Sequence, residues 1–189
     1  MEIINPIYFT NRQQWRAWLW GNFDKEKEVW LIFPHKDTGK PRILYNDAVE
    51  EALCFGWVDS TMKSFDEESS AQRFTPRRPK SSFSQLNKER LKWLAKHKML
   101  HPTIEDSSKG LLEEEYNFPD DIIQAIVRDK RAWMNFIKLP EAYRRIRVAY
   151  IDASRNRPEY FKSRLAHFIQ KTRENKLING FGGIEKYYK

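Results

Sequence analysis

The sequence is poor in the residues that build cross-links, metal clusters and membrane spans. Its 189 residues include a single cysteine, which excludes an internal disulfide framework and a zinc or iron–sulfur site built on cysteines. No apolar run approaches the roughly 18 residues of a membrane helix, and the N-terminal residues lack the basic start and apolar core of a secretory signal. We therefore expect a reduced, cytoplasmic protein without membrane insertion.

The common catalytic motifs are also missing. There is no Walker loop, no G-x-G-x-x-G after a strand, no H-E-x-x-H and no G-x-S-x-G. His97 and His101 have the spacing of a metal-binding pair on one helix face, but Pro102 predicts that the helix ends there. Cys54 follows the apolar pattern of its helix and has no histidine near it in sequence, which favours a buried thiol over a nucleophile. The sequence predicts no metal site and no cofactor.

The composition is that of a chain able to form a hydrophobic core. Hydrophobic residues make up 40% and aromatic residues 14%, with 7 Trp, which argues against intrinsic disorder. The length suits one domain or two small ones. The presence of 7 Gly and 9 Pro excludes a collagen-like or low-complexity chain.

The first half alternates short helices and strands. The apolar run 28–33, rich in β-formers and ended by a proline, predicts a buried strand. The predicted elements are a helix over 11–22 capped by Thr10, strands over 28–33, 55–59 and 70–75, a helix over 46–54, and a connecting loop over 63–68. We interpret Glu50 and Glu51, within the second helix, as part of a solvated face.

The second half is helical. The spacing predicts a helix over 83–98 that places Phe83, Leu86, Trp93, Leu94 and His97 on one side. Further helices are predicted after Pro119, over 129–138 and 141–154, and from Pro158 onward. The predicted fold class is α+β, a small N-terminal sheet with flanking helices followed by an all-helical C-terminal module. The predicted domains are 1–115 and 116–178, with a loose tail over 179–189.

The formal net charge of +8 is unevenly distributed. Residues 1–70 carry −4 and residues 102–127 carry −6, whereas residues 71–101 carry +8 and residues 128–176 carry +9. The positive segments favour an anionic partner, a small molecule or nucleic acid. The alternative is that their Lys and Arg side chains solvate helices or pair with the acidic segments.

One basic segment has a distinctive composition. Pro76 and Pro79 stiffen the stretch 73–84, which holds Arg73, Arg77, Arg78 and Lys80 at low entropic cost. Its serines, Ser84 among them, precede a helix, where backbone N–H groups favour an anion. Arginine suits bidentate recognition of phosphate or carboxylate. Equally, the serines can cap the helix and the arginines can pair with acids.

Asp59 closes the predicted apolar strand 55–59. Strand ends in layered folds are where functional sites collect. The alternative is that Asp59 caps the following turn.

These segments also carry a family resemblance. The run from Asp47 to Asp59, DAVEEALCFGWVD, resembles the EAL-C-FGW-ID signature of the YdeI/OmpD-associated, or bacteriocin-protection, proteins. Residues 73–87 resemble the family's RFTPRKPKS-x-WS-x-x-N motif, with Phe83 where the family has Trp. Leu139 to Arg145 resemble the LPPSYRR opening of its helical C-terminal module.

The resemblance implies a role in protection against bacteriocins or cationic antimicrobial peptides and no settled reaction. The candidate ligand-binding residues are Trp57, Asp59, Arg73, Arg77, Arg78, Lys80, Ser84, Asn87, Tyr143, Arg144 and Arg145. One hypothesis is a non-enzymatic binding protein for an anionic ligand. The second is an enzyme acting on a small anionic metabolite, with Asp59 as acid/base and Arg73 and Arg77 as substrate clamp. A third is protection through a protein partner.

Overall fold

A computed structural model describes residues 2–78, 81–179 and 184–188. Contacts between Cα atoms divide the chain into two compact units. Unit 1 comprises Met1–Ser82 and Leu91–Gly110, and unit 2 comprises Phe83–Arg90 and Leu111–Lys189. The domain boundary at residues 115 and 116 remains a prediction, because grouping by contacts does not define where a domain begins.

Unit 1 contains a four-stranded sheet. Its strands are β1 (Pro6–Tyr8), β2 (Val29–Pro34), β3 (Trp57–Ser64) and β4 (Ser69–Pro76). Their spatial order is β1-β2-β4-β3, with β1 parallel to β2 and the other pairs antiparallel. The sheet lies at the N-terminal side of the sequence and is followed by helices, so the predicted α+β class is confirmed.

The sheet differs from the sequence prediction in two strands. β1 was not foreseen, because three residues carry too little periodicity to be recognised. β3 continues to Ser64, opposite Ser70, so the connection predicted over 63–68 is shorter by two residues. Ser60, Thr61 and Met62 are exposed on this edge strand, and their polar pattern resembles a loop.

Helices lie between the strands of this half in the sequence and also follow the last strand. The helices in this half are α1 (Arg12–Asn22), α2 (Tyr45–Cys54), α3 (Gln85–Lys96) and α4 (Pro102–Glu113), and the division between the units falls within α3 and within α4. The cap of α1 is Asn11, whose Oδ1 accepts the N–H of Gln14 at 3.0 Å, and not Thr10 as predicted. Trp15 of α1 packs on Phe74 of β4 and donates its indole N–H to the Ala48 carbonyl at 3.0 Å.

The α3 prediction was right for Leu94, which is buried, but wrong for Phe83 and His97. Phe83 precedes the first helical residue, and His97 follows the last one and is exposed. The buried positions of the helix are Asn87, Glu89, Arg90, Leu91 and Leu94. Three of these are polar, which is why hydrophobic spacing alone did not locate the buried face.

A buried ion-pair cluster joins α1 to α2. The side chains of Glu50 and Glu51 are fully buried, so their interpretation as a solvated face was wrong. Arg12 donates to Glu50 at 2.8 Å and also to Glu51, and Arg16 donates to Glu51 at 2.6 Å. Two carboxylates can be buried here because two guanidinium groups balance their charge.

The regular elements of unit 2 are helices, and its described residues include no strand. Its remaining helices are α5 (Asp120–Val127), α6 (Lys130–Phe136), α7 (Glu141–Asp152) and α8 (Pro158–Arg173). The core is formed by Ile122, Ile126, Ala132, Phe136, Tyr143, Val148, Ile151 and Phe168. Within the tail predicted to be loose, Glu185–Tyr188 form a 3-10 helix, and Ile184 and Tyr187 are buried. Across the described residues, the helices are too short or too polar to cross a bilayer.

The turn between α2 and β3 depends on Gly56. Its φ is +73°, and an added Cβ would lie 2.8 Å from Cδ1 of Ile104. We expect Gly56→Ala to destabilise the protein by about 1–3 kcal/mol, because a side chain in the left-handed region is strained. In contrast, Gly21→Ala in α1 meets nothing within 4 Å and should stabilise by about 0.5–1 kcal/mol. Urea unfolding followed by circular dichroism distinguishes the two, and equal stabilities would contradict the prediction.

The ion-pair cluster makes a second stability prediction. Glu51→Gln removes the carboxylate partner of Arg16 and one of the carboxylate partners of Arg12, so we expect a loss of about 2–4 kcal/mol in the free energy of unfolding. The control is Glu68→Gln, whose partner Lys40 is as exposed as Glu68 itself. It should change the stability by less than about 1 kcal/mol. Comparable losses in the two variants would show that the cluster contributes no more than a surface pair.

Candidate functional site

The basic segment of unit 1 begins where β4 ends. The backbone N–H of Arg77 bonds to the Gly56 carbonyl at 2.9 Å, which fixes the start of the segment beside β3. The Nη2 atom of Arg77 then donates to the Ser81 carbonyl at 3.2 Å, the Ser81 hydroxyl at 3.1 Å and the Ser82 carbonyl at 2.9 Å. A turn closes the segment, since the Ser81 N–H and hydroxyl both donate to the Arg78 carbonyl. We call residues 77–82 the arm.

The charges of the arm differ in their surroundings. Burial lowers the pKa of the Arg77 guanidinium, and the nearby Asp59 carboxylate offsets part of that effect. Arg78 is exposed, and among the residues that the structure describes none lies within hydrogen-bond or ion-pair distance of its guanidinium. Lys80, another predicted site residue, lies outside the described residues, as does Pro79.

Asp59 lies inside a strand, and the prediction that it closes one was wrong. It is the third residue of β3, opposite Phe74 of β4, and the strand continues for five more residues. Its Oδ2 accepts the hydroxyl of Tyr45, the first residue of α2, at 2.6 Å. The structure therefore brings Asp59 close to Tyr45 and to the charge of Arg77.

Arg73 does not join them. It precedes Phe74 in β4, and consecutive residues of a strand point to opposite faces, so Arg73 and Asp59 lie on opposite faces of the sheet. Arg73 donates from Nε to Glu28 at 3.0 Å and from Nη2 to the same carboxylate oxygen. Trp57 is buried, and its indole N–H bonds to the Phe23 carbonyl at 2.9 Å.

The predicted residues of unit 2 are engaged within that unit. Ser84 Oγ accepts the N–H of Asn87 at 3.3 Å and so caps the start of α3. The Asn87 Oδ1 atom accepts from Arg90 at 2.7 Å. These contacts stabilise a helix terminus.

The three predicted residues of α7 are also engaged. The buried Tyr143 hydroxyl accepts the Ile178 N–H at 2.8 Å. Arg145 forms a two-point pair with Glu89 at 2.7 and 3.0 Å, which raises the pKa of Arg145. The guanidinium of Arg144 lies over the Phe136 ring at 5.6 Å.

The remaining nucleophile and metal candidates have structural surroundings. Burial raises the pKa of the Cys54 thiol to about 12, which leaves it protonated at neutral pH. The exposed His97 stacks on Trp93, whereas His101 lies among the rings of Trp20, Phe23 and Phe55. Within residues 2–78, 81–179 and 184–188, no three His, Cys, Asp or Glu side chains are grouped to hold a metal ion.

One concave feature of unit 1 was missed from the sequence. A cleft of about 480 Å³ lies beside the start of β2, lined by Ile4, Asn5, Ile7, Trp18, Lys25, Glu26, Lys27, Glu28 and Val29. Trp57 contacts Trp18 edge-on and Arg73 binds Glu28, so both predicted residues lie directly behind the lining of the cleft. No motif marks its residues, because they come from a terminal segment, a helix and a turn.

Two family models match successive parts of the chain. Residues 7–106 match a domain of unknown function (DUF8412), and residues 115–175 match OmdA, described as Bacteriocin-protection, YdeI or OmpD-Associated. The second match confirms the suspected YdeI/OmpD-associated family over that part of the chain, while the two more N-terminal motifs fall within the first match. No curated protein and no solved structure gives a significant match. Since the first model spans more than half of the sequence, the chain belongs to the family described as domain of unknown function (DUF8412), with an OmdA domain over residues 115–175.

Proposed function

We propose that the protein is a non-enzymatic binding protein for an anionic, phosphate-bearing ligand, and that the arm of unit 1 holds the ligand. The observation that carries the proposal is the arrangement of Arg77. Three oxygen atoms of Ser81 and Ser82 bind the same Nη2 atom and hold the guanidinium in a defined orientation. A pre-oriented guanidinium binds an oxyanion with less loss of side-chain entropy than a mobile one.

The electrostatics of the arm support an anion. Burial disfavours the charged form of Arg77, so a bound phosphate would replace the solvation that the guanidinium has lost. Arg78 is exposed on the same short segment and adds a second positive charge. Ser81 connects the two residues, because its hydroxyl donates to the Arg78 carbonyl and its own carbonyl accepts from the Arg77 side chain.

The same geometry weakens the enzymatic alternative. An acid/base at Asp59 with a clamp from Arg73 and Arg77 requires that all three side chains reach one substrate. Arg73 lies on the opposite face of the sheet from Asp59 and is bound to Glu28. Binding without a reaction is therefore the function that the arrangement supports better.

A role in stress, antimicrobial-peptide or bacteriocin resistance is the wider part of this proposal. It is supported by the description of the family that matches residues 115–175. A net charge of +8 disfavours direct capture of a cationic peptide. We therefore expect any protective effect to act through the anionic ligand.

Binding of inorganic pyrophosphate tests the arm. By isothermal titration calorimetry at low ionic strength, we expect Arg77→Gln/Arg78→Gln to bind pyrophosphate at least about tenfold more weakly than the unmodified chain, because two charge-assisted contacts are lost. The exposed Arg78→Gln alone should give a smaller loss without disturbing the turn. Lys36→Gln removes one positive charge at an exposed position of unit 1, as Arg78→Gln does in the arm, and should stay within about twofold. Equal affinities of Arg77→Gln/Arg78→Gln and Lys36→Gln would overturn the proposal.

Asp59→Asn separates the binding hypothesis from the enzymatic one. The substitution removes a negative charge that acts on Arg77 but retains an oxygen for the Tyr45 hydroxyl. If the arm binds anions, pyrophosphate affinity should rise about two- to fivefold, because a repulsion is removed. A fall in pyrophosphate affinity would instead show that the Asp59 carboxylate takes part in holding the ligand.

A further inference from the structure

We propose that unit 2 has a second binding surface, on α8, for single-stranded nucleic acid. The surface consists of Arg157, Tyr160, Arg164, His167 and Lys171, together with Tyr150 of α7, and we call it the α8 surface. It is built from residues of unit 2 alone and does not depend on the function proposed for the arm.

The spacing places these residues on one side of the helix. Tyr160, Arg164, His167 and Lys171 are separated by four, three and four positions, which aligns them along one face. Phe168 and Thr172, on another side, are buried. Tyr160 and His167 are exposed, with 59% of Tyr160 accessible. A stripe from Tyr160 to Lys171 covers about 16 Å of helix, enough for a few nucleotides of an extended strand.

The two arginines of the α8 surface lie against tyrosine rings. The Arg164 guanidinium lies 3.8 Å from the centroid of the Tyr150 ring, and its Nη1 donates to the Tyr150 carbonyl at 3.1 Å. The Arg157 guanidinium lies 5.1 Å from the Tyr160 ring. Within the part of the chain that the structure describes, no carboxylate lies within ion-pair distance of Arg157, Arg164, His167 or Lys171. Apart from an attraction between Lys171 and Glu174, which helps to lower the pKa of that carboxyl, these side chains are not paired with acids of the described residues.

Neighbouring cations of unit 2 that lie outside the α8 surface are, in contrast, paired with carboxylates. Arg155 is held by the carboxylates of Asp121 and Asp152. Lys162, on another side of α8, pairs with Glu159, and Arg173 pairs with Asp129. The acids of this region are thus bound to cations outside the α8 surface.

A small cleft on the α8 surface offers a binding position for one phosphate group. It has a volume of about 50 Å³ and is lined by Arg147, Tyr150, Ile151, Arg164, His167, Phe168 and Ile178. The guanidinium of Arg164 and the imidazole of His167 can donate hydrogen bonds to a phosphate held there, whereas the buried Arg147 donates to the Ile178 carbonyl. The apolar residues on the other side of the cleft lower the local dielectric and strengthen those contacts.

The aromatic residues decide the class of ligand. Tyrosine rings and guanidinium planes are platforms on which unstacked bases stack, whereas the paired bases of a duplex are not available for such stacking. A helix that binds a membrane surface needs an exposed apolar face, but Phe168 of α8 is buried in the core of unit 2. Charge and stacking groups together therefore favour a single strand over a duplex or a lipid surface.

Fluorescence anisotropy with a labelled fifteen-nucleotide oligouridylate tests the proposal, using the full chain over a salt series. We expect Arg164→Gln/Lys171→Gln to weaken binding about tenfold and to reduce the salt slope by about 1.4, since each phosphate contact contributes about 0.7. Tyr160→Leu should weaken binding about fivefold or more, through the lost stacking. Lys162→Gln/Arg173→Gln removes the same charge from other sides of the same helix and should stay within about twofold. Unchanged circular dichroism and thermal unfolding would show that each variant is folded.

Four outcomes would overturn the proposal. The first is that the unmodified chain does not bind oligouridylate at low salt, and the second is that Arg164→Gln/Lys171→Gln and Lys162→Gln/Arg173→Gln lose equal affinity. The third is that only Arg77→Gln/Arg78→Gln weakens oligouridylate binding. The fourth is that the chain binds phosphatidylglycerol vesicles but not the oligonucleotide. The third of these would assign nucleic-acid binding to the arm and leave the proposed function standing. Conversely, failure of pyrophosphate to bind the arm would leave the α8 result unaffected.

Discussion

The N-terminal unit depends on the ion pairs of Arg12 and Arg16 with Glu50 and Glu51. Two adjacent carboxylates are fully buried on α2, and α1 supplies the two guanidinium groups that pair with them. The pairs determine how α1 lies against α2, and α1 in turn places Trp15 on Phe74 of the sheet. The neighbouring Cys54 thiol is buried beside the same charges and stays protonated. A segment with the residue types of a catalytic cluster therefore has a structural role.

The pleat of the sheet then decides which polar residues can act together. Phe74 and Arg73 are adjacent in β4 but point to opposite faces, so the residues near them are separated as well. Asp59, Tyr45 and Arg77 are brought close together, whereas Arg73 binds Glu28 beside the cleft next to β2. A one-residue difference in position along a strand thus divides one predicted site into two separate environments.

The sequence predicts most of the helices and the α+β class, because apolar spacing reflects burial directly. It fails where burial is polar or where a strand is short. Glu50, Glu51, Asn87 and Arg90 are buried through ion pairs and hydrogen bonds, which hydrophobic periodicity does not detect. β1 has three residues, and the outer half of β3 is exposed on an edge. Of the predicted site residues, Asp59 and Arg77 act on each other, but spacing along the chain did not reveal that Asp59 lies inside a strand or that Arg73 and Arg145 are bound by carboxylates.

For the arginines of this chain, the partner of each guanidinium is more informative than the net charge. Arg73, Arg145 and Arg155 are bound by carboxylates, which already provide the anion that each guanidinium would otherwise seek. Arg77 is oriented by serine and carbonyl oxygens, and Arg157 and Arg164 lie against tyrosine rings. Neutral partners fix the direction of a guanidinium without cancelling its charge, although the Asp59 carboxylate also acts on the charge of Arg77. The net charge of +8 sums all Lys, Arg, Asp and Glu residues, so it does not distinguish guanidinium groups bound by carboxylates from those held by neutral groups.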